Sequence, residues 1–430
     1  MIDKAEREQI IALIKREVVP AIGCTEPIAV ALCVAKASEV LGKLPEKIEV
    51  LLSANILKNA MGVGIPGTGM IGLPIAVALG ALIGKSEYQL EVLKDATSDD
   101  VEKGKQMIDN KIISILLKED ISEKLYIEAK VSNGSDSVKA IISGGHTNFV
   151  YLEKNNEILL DKQVSTSSED PESDSPKLSM RKVYDFAMEA PLKEIEFMLE
   201  SGQMNKQAAL QSLKGYYGHG LGRILSEGTE QKIIGKNTFS SILSYTSAAC
   251  DARMAGAMIP VMSNSGSGNQ GISATVPVVV FAEENNCSRE QLIRALTLSN
   301  LAVIYIKESL GRLSALCGCV VASTGSSCGI TYLMGGEYKE VCFAVKNMIA
   351  NLTGMICDGA KPSCALKVTS GTSTSLLSAM MAMEQRYVTS VEGIIDDDVD
   401  QCILNLTRIG SQGMNETDKL VLDIMTHKCG

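Results

Sequence analysis

The chain must build its core without tryptophan and nearly without rings: it has 6 Phe, 11 Tyr and no Trp in 430 residues. Its 45% apolar content therefore rests mainly on Ala, Val, Ile, Leu and Met, alongside 37 Gly. Side chains of this size fill space only when backbones approach closely, which favours tightly packed helices. At 430 residues the chain is also too long for one ordinary core, so two domains are expected.

Periodicity divides the chain. Ile10, Ile11, Leu13, Ile14 and Val18 recur at helical spacing, and Pro27 opens a second helical run rich in Ala and Val. Ile48 to Ser53 reads as a strand, followed by a Gly-rich segment and an apolar helix from about Ile71. From 124 to 161 the period changes to two. Leu125, Ile127, Ala129 and Val131 alternate with polar neighbours, and Asn133-Gly134 marks a hairpin turn. Val138, Ala140 and Ile142 alternate back, and a strand near Phe149 to Leu152 ends at Asn155-Asn156. The acidic, Ser-rich stretch Val164–Lys177 reads as an exposed loop or linker. Beyond Met180 the segments are apolar-periodic and rich in Ala, Gly, Ser and Met, with no convincing strand. The expectation is an α+β protein. Residues 1–178 form an α+β domain with an antiparallel β-meander, and residues 179–430 an all-α domain of closely packed helices.

The formal net charge is −10, and Lys and Arg gather into no stripe, which argues against nucleic acid and anionic membrane as partners. The apolar stretch Ile71–Ile83 is Gly-interrupted and too short for a bilayer. The opening residues carry charges of both signs and no apolar leader segment, so a cytoplasmic protein is expected. A homo-oligomer, in the simplest form a dimer, is expected too.

Without a leader, 12 Cys are not a disulfide framework. Cys317, Cys319, Cys328, Cys342, Cys357 and Cys364 fall in one short window. Soft thiolates at Cys317 or Cys319, Cys357 and Cys364 would suit an iron–sulfur cluster, and Gly359 and Pro362 make the intervening segment a loop. No C-x-x-C pair appears, which disfavours structural zinc. On spacing alone, buried structural thiols remain the alternative.

Three other features could carry chemistry. Cys24 lies in a polar turn before a Pro-initiated helix, where the helix dipole would favour a thiolate, with Glu26 and Lys58 as acid–base partners. Ser263, Asn264, Ser265, Gly266, Ser267, Gly268 and Asn269 form a Gly-rich turn ahead of an apolar helix, suited to an anion such as a substrate carboxylate. His146 and His219 sit in flexible, Gly-flanked turns, and each is either catalytic or structural.

These segments together resemble the L-cysteine desulfidase group of the serine dehydratase alpha-chain family. The likeness rests on Gly23-Cys24-Thr25-Glu26-Pro27, Ser53–Asn59, Gly64–Gly69, Ser143-Gly144-Gly145-His146-Thr147, the Ser263–Gly271 loop and Cys357–Cys364. The resemblance implies a [4Fe–4S] cluster held by three Cys, matched here by Cys319, Cys357 and Cys364, with Cys317 the alternative to the first. It implies a carbon–sulfur lyase that splits L-cysteine into pyruvate, ammonia and hydrogen sulfide, with Cys24, Lys58 and His146 as candidate catalytic groups. The remaining alternatives are an L-serine or L-threonine dehydratase, a cluster-free amino-acid-binding relative, and a zinc-dependent hydrolase. The Gln-Ala-Glu type stretch that follows the first ligand in dehydratases is replaced here by Val320-Val321-Ala322, and their Ser-Ser-Ser-His-Thr type motif is missing. Both departures favour cysteine over serine.

Overall fold

A computed structural model describes residues 2–119, 121, 123–162, 176–227, 234–311 and 314–427. Most of the acidic stretch 164–177 lies outside them.

The N-terminal part runs α1 (Lys4–Glu17), β1 (Pro20–Ile22), α2 (Thr25–Leu41), β2 (Lys47–Leu52), α3 (Ala54–Ala60), α4 (Leu73–Ile83) and α5 (Ser98–Asp109). It continues through β3 (Ile113–Leu117), β4 (Tyr126–Asn133), β5 (Asp136–Ser143), β6 (Phe149–Lys154) and β7 (Glu157–Asp161). Six of these strands form one sheet in the order β3-β2-β4-β5-β6-β7. The β2–β3 pair is parallel and the remaining pairs are antiparallel. The expected meander is there, with Gly134 at φ 57° in the β4–β5 turn and Asn155 and Asn156 at φ 51° and 67° after β6. On one face of the sheet, alternating residues such as Ile127, Ala129 and Val131 pack with α2 and α4. Helix α2 is buried on nearly all sides, which is why its sequence has no clear polar stripe.

The second part is helical: α6 (Met180–Glu189), α7 (Leu192–Ile195), α8 (Met198–Leu213), α9 (Leu221–Glu227) and α10 (Thr238–Met254). After the short strand β8 (Pro260–Met262) come α11 (Gly268–Glu284), α12 (Arg289–Leu310), α13 (Gly318–Leu333), α14 (Tyr338–Asn351), α15 (Cys364–Met383), α16 (Val399–Arg408) and α17 (Asn415–Thr426). The architecture is α+β. Close helix packing follows from the small residues: a Cβ added at Gly325 of α13 would lie 2.4 Å from the Ser299 carbonyl oxygen of α12. Buried hydroxyls satisfy themselves within their own helices, as Thr246 does on Ile242 O (2.6 Å), Thr297 on Ile293 O (2.8 Å) and Ser323 on Cys319 O (2.8 Å).

Two features join the parts. Helix α1 contributes Ile10, Leu13 and Ile14 to the helical core rather than to the sheet layer. Strand β1 pairs antiparallel with β8, Pro20 opposite Met262, so the segment before Cys24 is stitched to the segment before the Ser263 loop. A strand therefore does precede that loop. Three-residue strands are too short to show a period, which hid both β1 and β8 from the sequence. No helix among the described residues is long and apolar enough to cross a membrane.

Candidate active site

The β1–β8 ladder ends at a cavity of about 100 Å³ walled by both parts of the chain. From the N-terminal part come Cys24, Thr25 and Glu26 at the start of α2, Asn59 of α3, and His146 from the turn between β5 and β6. The helical part supplies Arg253 at the end of α10, residues 265–267 with Asn269 and Gln270 at the start of α11, and Lys307 of α12. Cys317 and Cys319 open α13, Cys357 lies in the segment that follows α14, and Cys364 begins α15.

The thiols are gathered by backbone, not chance. Leu316 and Ile356 form an isolated antiparallel bridge, with Cys317 N–H donating to Met355 O (2.8 Å) and Cys357 N–H to Ala315 O (2.7 Å). Cys317 and Cys357 are therefore carried side by side. Cys24 and Cys250 pack in the same buried group as Cys317, Cys319 and Cys364. The Cys319 thiol donates to Cys317 and, with Lys367 and Lys361 nearby, holds the Cys317 thiol down at about 6 against its burial. Cys319 is pushed up in return, and burial raises Cys364 to about 11. Asp358 pairs with Lys361 and Lys367 at the rim.

Among the described residues no group of three or more His, Cys, Asp or Glu side chains is close enough to hold a metal ion. A multi-iron cluster sets its thiolates farther apart than one ion does. The donor set, four thiols facing one small cavity with Lys361 and Lys367 nearby to favour their ionised form, fits a cluster.

Glu26 is the hub of the opposite wall. Its Oε2 accepts from Cys24 Sγ (2.9 Å) and Thr25 Oγ1 (3.1 Å), and its Oε1 from Asn59 Nδ2 (3.2 Å). Burial alone would raise this carboxyl. The charge of His146 and the Cys24 thiol outweigh it and hold Glu26 below its usual range. For Cys24 the balance goes the other way: burial, then the Glu26 charge, pushes its thiol well above the ordinary value. This is opposite to the expected dipole-stabilised thiolate: burial, and then a carboxylate 2.9 Å away, outweigh the helix N-terminus.

Other expected residues are placed elsewhere. Lys58 is 1% exposed and ion-pairs with Asp418 of α17, which also accepts from Asn55 Nδ2 (2.7 Å); Lys58 does not line the cavity. Ser263 Oγ donates to Val19 O (2.6 Å) and Asn264 Nδ2 to Asn300 Oδ1 (3.0 Å), so these two hold the loop in place. The tip of that loop turns through Ser265 and Gly266, at φ 47° and 80°, and presents Ser265, Gly266, Ser267 and Asn269 to the cavity. Gly268 lies against the Arg253 side chain. His219 is exposed in a separate hollow with Tyr216 and Asp251. Sequence reasoning missed Arg253 and Cys250, and took Gln270 only as part of the Ser263–Gly271 loop. A lone arginine ending a helix of otherwise small and apolar residues was the available signal for the first, and its i, i+3 spacing from Cys250 puts both on one face.

Residues 87–423 match the family profile described as Serine dehydratase alpha chain. A UPF0597 protein of Bacteroides fragilis is 74% identical over 425 residues, spanning 99% of each chain. UPF0597 proteins of Porphyromonas gingivalis, at 55% over 99% of this chain and 100% of the relative, and of Oleidesulfovibrio alaskensis, at 44% over 99% of each, are also similar.

Proposed function

Because the chain belongs to the serine dehydratase alpha-chain family, we propose that it is a β-eliminating lyase that releases hydrogen sulfide from L-cysteine with the help of a [4Fe–4S] cluster. The observation that carries this reading is the convergence of Cys317, Cys319, Cys357 and Cys364 on one small cavity opposite the Glu26–His146 pair. Cys357, Cys364 and one member of the Cys317–Cys319 pair hold the cluster. When bound, the cluster supplies a Lewis-acidic, sulfur-preferring iron that weakens the bond to the β-substituent.

The chain's own residues do the rest. His146, in its neutral form, takes the Cα proton, and Glu26 beside it stabilises the imidazolium that results. Lys58 faces Asp418, and Cys24 is kept protonated, so neither competes as base. The Cys24 thiol serves as a proton donor to Glu26 and orients its carboxylate toward the site. Elimination yields aminoacrylate and sulfide; aminoacrylate tautomerises to the imine, and water converts that to pyruvate and ammonia. All cysteines among the described residues are free thiols, in keeping with a reducing cytoplasm.

Anaerobic purification followed by iron, sulfide and turnover assays tests the reading. The expected protein is brown, bleaches in air, and has a higher kcat/KM for L-cysteine than for L-serine on the same sample. Faster serine turnover would make it a dehydratase, and full activity without iron would end the cluster assignment.

A further inference from the structure

Three side chains of the cavity wall each carry a fully enclosed polar atom with no hydrogen-bond partner: Arg253 Nε, Gln270 Oε1 and Asn59 Oδ1. Buried polar groups are normally paired, so an unmet group on a cavity wall is a vacancy for a ligand atom. The three are not alike. One is a cationic donor and two are neutral acceptors.

Arg253 is 3% exposed, and its Nη1 donates to Asn269 Oδ1 (3.1 Å). No carboxylate among the described residues lies within ion-pair distance of it. The nearby Glu26 is already shared by Cys24, Thr25 and Asn59. The guanidinium lies flat along the first residue of α11, where a Cβ on Gly268 would stand 2.2 Å from Nε. That helix opens without a side-chain cap, so its N-terminal N–H groups add to the same positive corner. The orientation of Asn59 is fixed by chemistry: its Nδ2 donates to the Glu26 carboxylate, which can only accept, so Oδ1 is the free atom. Gln270 is 4% exposed and packs over Gly318, between Cys317 and Cys319.

One unmet cation and two unmet acceptors complement the two ends of a zwitterion. We infer that Arg253 binds the α-carboxylate, and that Gln270 and Asn59 receive the α-ammonium, of a small α-amino acid. The inference rests on the reading of this cavity as an amino-acid site, and replaces the Gly-rich loop by Arg253 as the main carboxylate anchor.

The test uses three probes that cannot undergo β-elimination: L-alanine, which has both charged ends, propionate, which has only the carboxylate, and ethylamine, which has only the ammonium. Binding is measured by calorimetry on the anaerobically purified protein. Wild type should bind L-alanine more tightly than either fragment. Arg253→Met should weaken L-alanine by about 10- to 100-fold and leave ethylamine unchanged. Gln270→Leu should weaken L-alanine and leave propionate unchanged, and Arg253→Lys should recover part of the loss. Wild-type affinity for L-alanine in either variant overturns the inference, as does equal weakening of all three probes or no L-alanine binding by wild type. A protein that shows the expected pattern but releases no sulfide from L-cysteine keeps this assignment and loses the elimination reading.

Discussion

Glu128 and Glu26 are both buried carboxylates, and their surroundings differ in kind. Glu128, on the sheet, is 2% exposed and is met by Lys118 (3.0 Å), Lys130 (3.2 Å), Lys139 (3.9 Å) and the Tyr126 hydroxyl (2.7 Å). Tyr126 and Lys130 flank Glu128 on β4, Lys139 lies on β5 and Lys118 just past β3, and the network is closed. Glu26, at the cavity, is held by a thiol, a hydroxyl and an amide from three directions, and the wall around it leaves Arg253, Asn59 and Gln270 with unmet polar atoms. Both carboxyls are held below their usual range although burial alone would raise them, so the shift by itself does not tell structure from chemistry. What separates them is saturation. A completed network stabilises a fold, whereas an incomplete one waits for a ligand.

The thiols offer the severest way to break this contrast. Cys357→Ser and Cys364→Ser should each lose cluster iron and turnover altogether, read as visible absorbance and sulfide release. Cys33, whose thiol donates to Ala140 O (3.4 Å) and is pushed up to about 12 by burial, belongs to the closed core. Cys33→Ser should keep its iron, and bleaching of that variant would show that burial, not the cavity, decides.

The carboxylates themselves give the next largest effect. Glu26→Gln should lower kcat by roughly 100-fold, the scale of lost acid–base assistance, while changing stability little. Glu128→Gln should do the reverse, costing about 1–3 kcal/mol in denaturant unfolding with kcat within about twofold. If both variants lose activity equally, the distinction between closed and open networks fails.

The smallest effect is at the cavity rim. Lys361 and Lys367 overcome the desolvation of Asp358 and hold it down from 3.8 to about 2. A carboxyl depressed in the folded state contributes stability above its unfolded value, and that contribution is lost as the pH falls from about 4 toward 2. Asp358→Asn should flatten this part of the melting-temperature profile. An unchanged acid limb would mean that the rim lysines do not act on Asp358 in solution.

The sequence made some of this legible and hid the rest for physical reasons. The meander of β4, β5 and β6 was readable because strict alternation and Asn133-Gly134 leave few other outcomes. Strand β3 was missed: its run Ile-Ser-Ile-Leu-Leu lies at the sheet edge, and parallel pairing with β2 leaves no hairpin turn to announce it. Likewise α11 begins at Gly268, before the apolar run at Ile272, because helix onset is set by the preceding turn and not by hydrophobicity. In the site, Cys317, Cys319, Cys357 and Cys364, which line one cavity, could be singled out because cysteines crowd one window. Lys58 could not be oriented from sequence, since its partner Asp418 lies 360 residues away. The direction of the Cys24 shift was equally hidden. A helix N-terminus predicts one sign, and full burial, followed by the charge of the neighbouring Glu26 side chain, reverses it.

The cavity has a consequence for how the protein comes into being. Its walls are drawn from residues 24–26, 59, 146, 253, 265–267, 269–270, 307, 314, 316–319, 357, 359–360 and 364. A chain emerging from the ribosome can complete the sheet layer early, but its pocket stays open until the last third has been synthesised, when the thiols arrive together. Nothing can be captured during translation by a container that still lacks one side. Whatever occupies this pocket has to be delivered to a nearly finished polypeptide, and premature termination before Cys364 would leave a folded sheet with nothing to close over.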